Sequence, residues 1–115
     1  MDISNLLCEY QENPVGLDED SPHFSWELSN FNKGEAQTAY RIMVASSPEL
    51  LHKDRGDMWD SGEEESCKST GIVYEGKPLQ SRKRYHWKVK VWDEKGDSVS
   101  SSDNYFEMGL LEPEE

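Results

Sequence analysis

The chain has 115 residues, a formal net charge of −12 and a hydrophobic share of 34%, a length for one domain and a composition thin in aliphatic core. No lysine or arginine precedes Lys33 or follows Lys95, so phosphate backbones and anionic lipid surfaces are repelled, and neither nucleic acid nor a membrane is an expected partner. No apolar run is long enough to span a bilayer, and Met1 to Asn5 lacks the basic and apolar stretches of a secretion signal. The chain is therefore read as soluble, with its compartment open: cytoplasmic, or exported after loss of a signal.

Four Trp, five Tyr and three Phe concentrate burial in large side chains, enough for a thin core between two sheets. Leu6, Cys8 and Tyr10 alternate with Leu7 and Glu9, which predicts a short first strand. Asn13-Pro14-Val15-Gly16 breaks it, and Asp18 to Pro22 continues the loop. Phe24, Trp26 and Leu28 alternate with Ser25 and Glu27, a second strand with an apolar inner face. Asn30 to Gln37 is a polar, Gly-containing connection, followed by a third strand, Thr38 to Ala45, that turns Tyr40, Ile42 and Val44 inward. Ser46-Ser47-Pro48-Glu49 has the capping residue, proline and acidic group that start a helix. Asp54-Arg55-Gly56-Asp57 is expected to stop it after about two turns, near the glycine. Met58 to Gly62 is predicted as a short edge strand, Glu63-Glu64-Glu65 as a charged turn that discourages edge pairing, and Cys67 to Tyr74 as the next strand.

From Tyr85 the period is two: Tyr85, Trp87, Val89 and Val91 fall on one face, and His86, Lys88, Lys90 and Trp92 on the other. Asp93 to Asp97 supplies the turn that closes this strand. A polar run from Leu79 must turn a corner before it. A Tyr at that place, its hydroxyl bonded back to the corner, is the tyrosine corner of Greek-key sandwiches. Ser98 to Ser102 and then Tyr105 to Met108 form the last strand, with a bulge between. The fold expected is all-β, an immunoglobulin-like or type III fibronectin-like β-sandwich of about seven strands with one short helical insertion. It spans 1–111, and 112–115 begins a linker to a further domain.

The residues that could carry chemistry are scattered. Cys8 and Cys67 lack the paired spacing of a zinc site and are read as reduced, mostly buried thiols, with a bridge as the alternative. Asp18-Glu19-Asp20 has the carboxylates for calcium but not the glycine and alternating spacing of an ion-wrapping loop. His23, His52 and His86 sit in three separate elements, with no Ser or Cys in a nucleophile turn. No catalytic residue, cofactor or metal ligand is assigned.

Trp26, Trp59 and Trp87 fit the dry faces of their strands. Trp92 does not, and it shares the outer face with Lys88 and Lys90, and with Arg41 and Met43 of the third strand, which neighbours it in such sandwiches. Arg41 can cover Trp92 through a cation–π contact; Trp92 can anchor another domain; or it can stack on a sugar. The basic run Arg82-Lys83-Arg84, with Lys88 and Lys90, can also face an acidic neighbour.

The order of motifs resembles a known family. Leu7-Cys8-Glu9-Tyr10 with Asn13-Pro14-Val15-Gly16-Leu17, then Pro22-His23-Phe24-Ser25-Trp26, Gln37-Thr38-Ala39-Tyr40-Arg41-Ile42-Met43-Val44-Ala45-Ser46-Ser47, Trp59-Asp60-Ser61-Gly62, Tyr85-His86-Trp87-Lys88-Val89-Lys90-Val91-Trp92-Asp93 and Phe106-Glu107-Met108-Gly109-Leu110-Leu111 are similar to the N-terminal domain of bacterial α-L-rhamnosidases of glycoside hydrolase family 78. The resemblance implies an accessory sandwich of a larger enzyme. Further β-sandwich domains and an (α/α)₆ barrel would follow, and the barrel would remove terminal rhamnose with inversion. None of the barrel's motifs is present, so no catalytic residue carries over. The resemblance implies a non-catalytic domain whose partners are other domains of the same polypeptide. A free-standing carbohydrate- or protein-binding module is the alternative.

Overall fold

The computed structural model describes residues 2–9, 11–17, 21–29 and 37–109. Its longest strand, β8 (Arg84–Asp93), buries every second side chain, Tyr85, Trp87, Val89 and Val91, as the pleat of a strand with one dry face requires. In chain order the elements before it are β1 (Asp2–Cys8), β2 (Val15–Leu17), β3 (His23–Ser29), β4 (Gln37–Ala45), α1 (Pro48–His52), β5 (Trp59–Asp60), β6 (Glu64–Glu65) and β7 (Ile72–Val73). After it come β9 (Ser98–Ser100) and β10 (Asn104–Met108).

One sheet has the order β1-β3-β7, and the other β2-β10-β8-β4-β5, with β6 also on β4 and β9 also on β8. β4 runs antiparallel along β8 from Gln37 opposite Asp93 to Ala45 opposite His86. On the far edge of β8, β9 and β10 lie end to end. At their join the Ser101 N–H donates to the Val89 carbonyl at 2.8 Å, and its Oγ accepts the Val89 N–H at 3.0 Å. A side chain thus replaces one ladder bond, which is the physical form of the expected bulge.

The core lies between the sheets. Phe24 and Trp26 of β3 meet Ile42 and Val44 of β4, Trp87 and Val89 of β8, and Phe106 and Met108 of β10. Phe24 and Trp87 are 4.6 Å apart between ring centroids, a tight tilted pair that binds sheet to sheet. The corner before β8 is as expected: the buried Tyr85 hydroxyl accepts the Gln80 N–H at 2.9 Å.

Several boundaries differ from the sequence expectation, each for a local reason. Val15–Leu17, expected as loop, pairs in parallel with β10. Three residues with Gly16 at φ +84° give no periodic signal, and the pairing partner is about ninety residues away in the chain. The helix is a single short turn. Ser47 caps it, accepting the Leu50 N–H at 3.3 Å, and Asp54 at φ +57° ends it before Gly56 is reached. Gly56 serves close packing instead, since a Cβ there would lie 2.3 Å from the Trp59 carbonyl oxygen. Glu64–Glu65, expected as a turn, pairs with Ala39 and Tyr40.

Between Cys67 and Tyr74 only Ile72–Val73 is strand. The loop before it is held by Gln37, whose amide Nε2 donates to the Ser66 and Lys68 carbonyls, each at 2.9 Å, while its Oε1 accepts the Trp26 indole N–H at 3.1 Å. Gln37 is therefore a buried structural residue and the first of β4, rather than the end of a polar connection. Tyr10, Asp18 to Asp20 and the stretch from Leu110, with the expected linker, lie outside the described residues.

Both cysteines are free, but only Cys8 is buried; Cys67 is exposed in the loop. Burial, with Glu9 adding to it, pushes the Cys8 thiol well above its ordinary pKa. Native alkylation is expected to label Cys67 and spare Cys8, with a second label only in denaturant, as read by mass. Trp87→Ala, removing a side chain that is 1% exposed, is expected to cost about 3–5 kcal/mol in denaturant unfolding of the chain.

Candidate functional site

The outer face of the β4–β8 sheet divides into a covered half and an open one. α1 lies over the first half, where Met43, Ala45 and Leu51 form a small second core with Leu50 packed against it. Met43 is 2% exposed, so it cannot serve as the contact residue that the strand pattern suggested; strand alternation alone does not reveal that a one-turn helix roofs it. Lys88 is also largely covered, with its side chain 11% exposed and its Nζ 2.5 Å from Asp54 Oδ1. That hydrogen bond and charge hold the Asp54 carboxyl below the usual range. Asp54 is the residue that ends α1, so the ion pair ties the helix exit to the sheet.

The open half holds Arg41, Lys90 and Trp92. Arg41 does not lie over Trp92 as expected. β5 places Asp60 opposite Met43, and the Arg41 guanidinium takes it in a two-point grip, Nε to Oδ1 at 2.8 Å and the second nitrogen to Oδ2. A bidentate charged pair outcompetes the face of an indole for a guanidinium. The hydrogen bond from Arg41 leads the forces that pull the Asp60 carboxyl below its ordinary pKa, and the same bond raises Arg41. The cation over Trp92 is Lys90, with Nζ 5.1 Å from the ring centroid.

Across the ladders Trp92 is opposite Ala39 on one side and Ser98 on the other. The half-buried indole therefore has only small side chains directly across from it on both ladders. A shallow depression of about 470 Å³ lies beside it, lined by Arg41, Asp60, Ser61, Gly62, Glu63 and Trp92. The basic stripe expected along β8 is dispersed: Arg84 sits over the Tyr105 ring at 4.3 Å and pairs with Glu107 at 3.7 Å. Asp54 and Asp60, which neutralise Lys88 and Arg41, were not singled out from the sequence. They are 34 and 19 residues from their partners, and no periodic pattern links them.

The histidines stay apart. His23 Nδ1 is 3.0 Å from Glu9 Oε1, and His52 pairs with Asp103. His86 is half-buried, and burial followed by the charge of Arg84 lowers its pKa.

Residues 3–112 match the family described as Rha78A-like, N-terminal immunoglobulin domain. The chain belongs to that family. An alpha-L-rhamnosidase of Formosa agariphila is 43% identical over 113 residues, which are 97% of this chain and 12% of that protein. One from Streptomyces avermitilis is 41% identical over 110 residues, 95% of this chain and 10% of that protein. The solved alpha-L-rhamnosidase from Dictyoglumus thermophilum superposes with a TM-score of 0.94 at 43% identity, over 99% of this chain and 13% of that one. The Streptomyces avermitilis enzyme complexed with L-rhamnose gives 0.91 at 37% identity, over 98% and 11%. The chain thus spans about a tenth of the length of the rhamnosidases it matches, and what it matches there is one immunoglobulin-like sandwich.

Because Asp60 is depressed in the folded state, its contribution to stability is present above the unfolded value, about 3.9, and is lost as pH falls through the lower folded one. Asp60→Asn is expected to lower the thermal midpoint at pH 7. The gap from the unmodified chain should close on acidification below about pH 4, followed by thermal scans of both proteins across that range.

Proposed function

We propose that this chain is a non-catalytic accessory domain of an α-L-rhamnosidase, and that the open half of its outer face packs against another domain of the same polypeptide. The observation that carries the first part is a match over nearly the whole chain to about a tenth of several rhamnosidases. Hydrolysis of terminal α-L-rhamnose then belongs to residues outside this sequence. A glycosidase needs two carboxylates facing each other across the sugar, whereas Asp54 and Asp60 are each committed to a cation on the outer face.

The docking part rests on Trp92. An indole on an open, otherwise polar sheet face, with Lys90 over it and small residues on both sides, is the type of side chain that anchors an interface. Arg41 sets the rim, where Asp60 already neutralises it. Lys88 contributes by holding α1 in place rather than by contact.

The expected result is asymmetric. In this chain alone Trp92→Ala should change the unfolding free energy by less than about 1 kcal/mol, as a partly exposed site does. In a rhamnosidase that carries the domain, the same substitution should destabilise by about 2 kcal/mol or more, the size of an interface anchor. Equal losses in the two proteins, measured by thermal and denaturant unfolding, would overturn the docking assignment.

A further inference from the structure

A second cleft opens on the flank of the sandwich, where the two sheets part. β6 runs along the outer edge of β4, and β7 is the last strand of the other sheet. Between them lies a volume of about 400 Å³ lined by Tyr40, Trp59, Glu64, Lys68, Ile72 and Glu75, within the size range of small-ligand pockets, about 300–1,000 Å³.

Asp60 and Ser61 also line the cleft and are committed, to Arg41 and to the Ile42 N–H; its other polar side chains are not. Among the described residues, the Tyr40 hydroxyl, the Trp59 indole N–H, the Lys68 ammonium and the Glu64 and Glu75 carboxylates make no hydrogen bond or ion pair within the protein. Burial, and then the charges of Glu64 and Glu75, push the Tyr40 hydroxyl up, so at neutral pH it keeps its proton and can donate. The Trp59 ring is held in place beforehand. It lies 6.2 Å from Phe24 and 5.4 Å from Tyr74 between centroids, and Gly76 packs so close that a Cβ there would be 2.4 Å from the Trp59 Cβ.

The set therefore offers three donors, two carboxylate acceptors and two half-buried aromatic rings in one small space. An anion would be repelled by Glu64 and Glu75. A simple cation would be repelled by Lys68 and would leave the Tyr40 and Trp59 donors unmatched. A sugar satisfies all of them, because each hydroxyl both donates and accepts, and a carboxylate can accept from two neighbouring hydroxyls. The apolar C–H face of the ring suits an aromatic side chain. We propose that this cleft binds a saccharide unit of a neutral carbohydrate, at a site separate from the Trp92 face.

The choice of L-rhamnose as first probe rests on the rhamnosidase reading; the chemistry of the cleft does not. In ¹H–¹⁵N spectra of the labelled 115-residue chain, L-rhamnose and, in parallel, methyl glucoside are titrated and the Trp59 indole N–H signal is followed. A saturable shift is expected, and Glu64→Ala and Glu75→Ala should each weaken half-saturation by about tenfold, the size of one lost charge-assisted hydrogen bond. Both positions are exposed, and the spectrum of each variant reports whether its fold is kept. A shift with the glucoside alone supports the cleft while weakening the rhamnose reading. The proposal is overturned if neither sugar gives a saturable shift, if both variants bind unchanged, or if only an arginine amide probe binds, which would make the cleft a dock for a basic side chain. Because this titration uses the chain alone and the Trp92 comparison needs a longer enzyme, either can fail while the other stands.

Discussion

Contact between Phe24 and Trp87, 4.6 Å apart between centroids, is the interaction on which the rest of this domain depends. Each sheet has one dry face, and neither is stable unless that face is covered. With few aliphatic residues available, large rings fill the gap: Trp59, Tyr74 and Phe106 all pack around Phe24. The rings also fix the relative position of the sheets, because each must meet its neighbours at a definite tilt. Everything on the surface, including the open face of β4 and β8 and the flank cleft, is placed by that central agreement.

Polar groups complete what the rings begin. Gln37 joins Trp26 of one sheet to the loop carbonyls of Ser66 and Lys68, so a buried amide organises a segment that has little strand character of its own. It satisfies its partners fully, as a buried polar group must; among the described residues no buried side-chain polar atom is left without a partner. At the other end, Ser46 holds Asp57 through both its N–H and its hydroxyl. Burial alone would raise the Asp57 carboxyl, but those bonds outweigh it and lower it. The chain between α1 and β5 is anchored by that pair, and β5 in turn presents Asp60 to Arg41 on one side and Trp59 to the flank cleft on the other.

The division of the outer sheet face has a functional consequence. α1 is one turn long, yet with Leu51 at 0% exposure it converts Met43 and Ala45 from surface to core, and Lys88 clamps its exit through Asp54. Only the Arg41, Lys90 and Trp92 end remains available. In a protein with net charge −12, that end carries two cations, one of them neutralised, beside an indole. On the docking proposed above, such a surface would meet a neighbouring domain by packing around the indole more than by charge. The flank cleft differs in kind: Glu64 and Glu75 there are unpaired and the Tyr40, Trp59 and Lys68 donors unused, a composition suited to a ligand with hydroxyls of its own.

The alternation of Tyr85, Trp87, Val89 and Val91, of Phe24 and Trp26, and of Ile42 and Val44 was legible in the sequence, because a strand with one buried face must repeat every second residue. So were the tyrosine corner, the helix start at Ser47-Pro48, and the place of Trp92 outside the core, and with them the sandwich and its family. What needed the tertiary structure are relations between residues far apart in the chain: the parallel pairing of Val15–Leu17 with β10, the grip of Arg41 on Asp60, the roofing of Met43 by Leu51, and the meeting of Tyr40, Trp59, Glu64 and Glu75. Periodicity records only which side of its own strand a residue faces. Whether that side is then covered, paired or left open depends on which other segment arrives there, and this is decided by packing the whole chain at once.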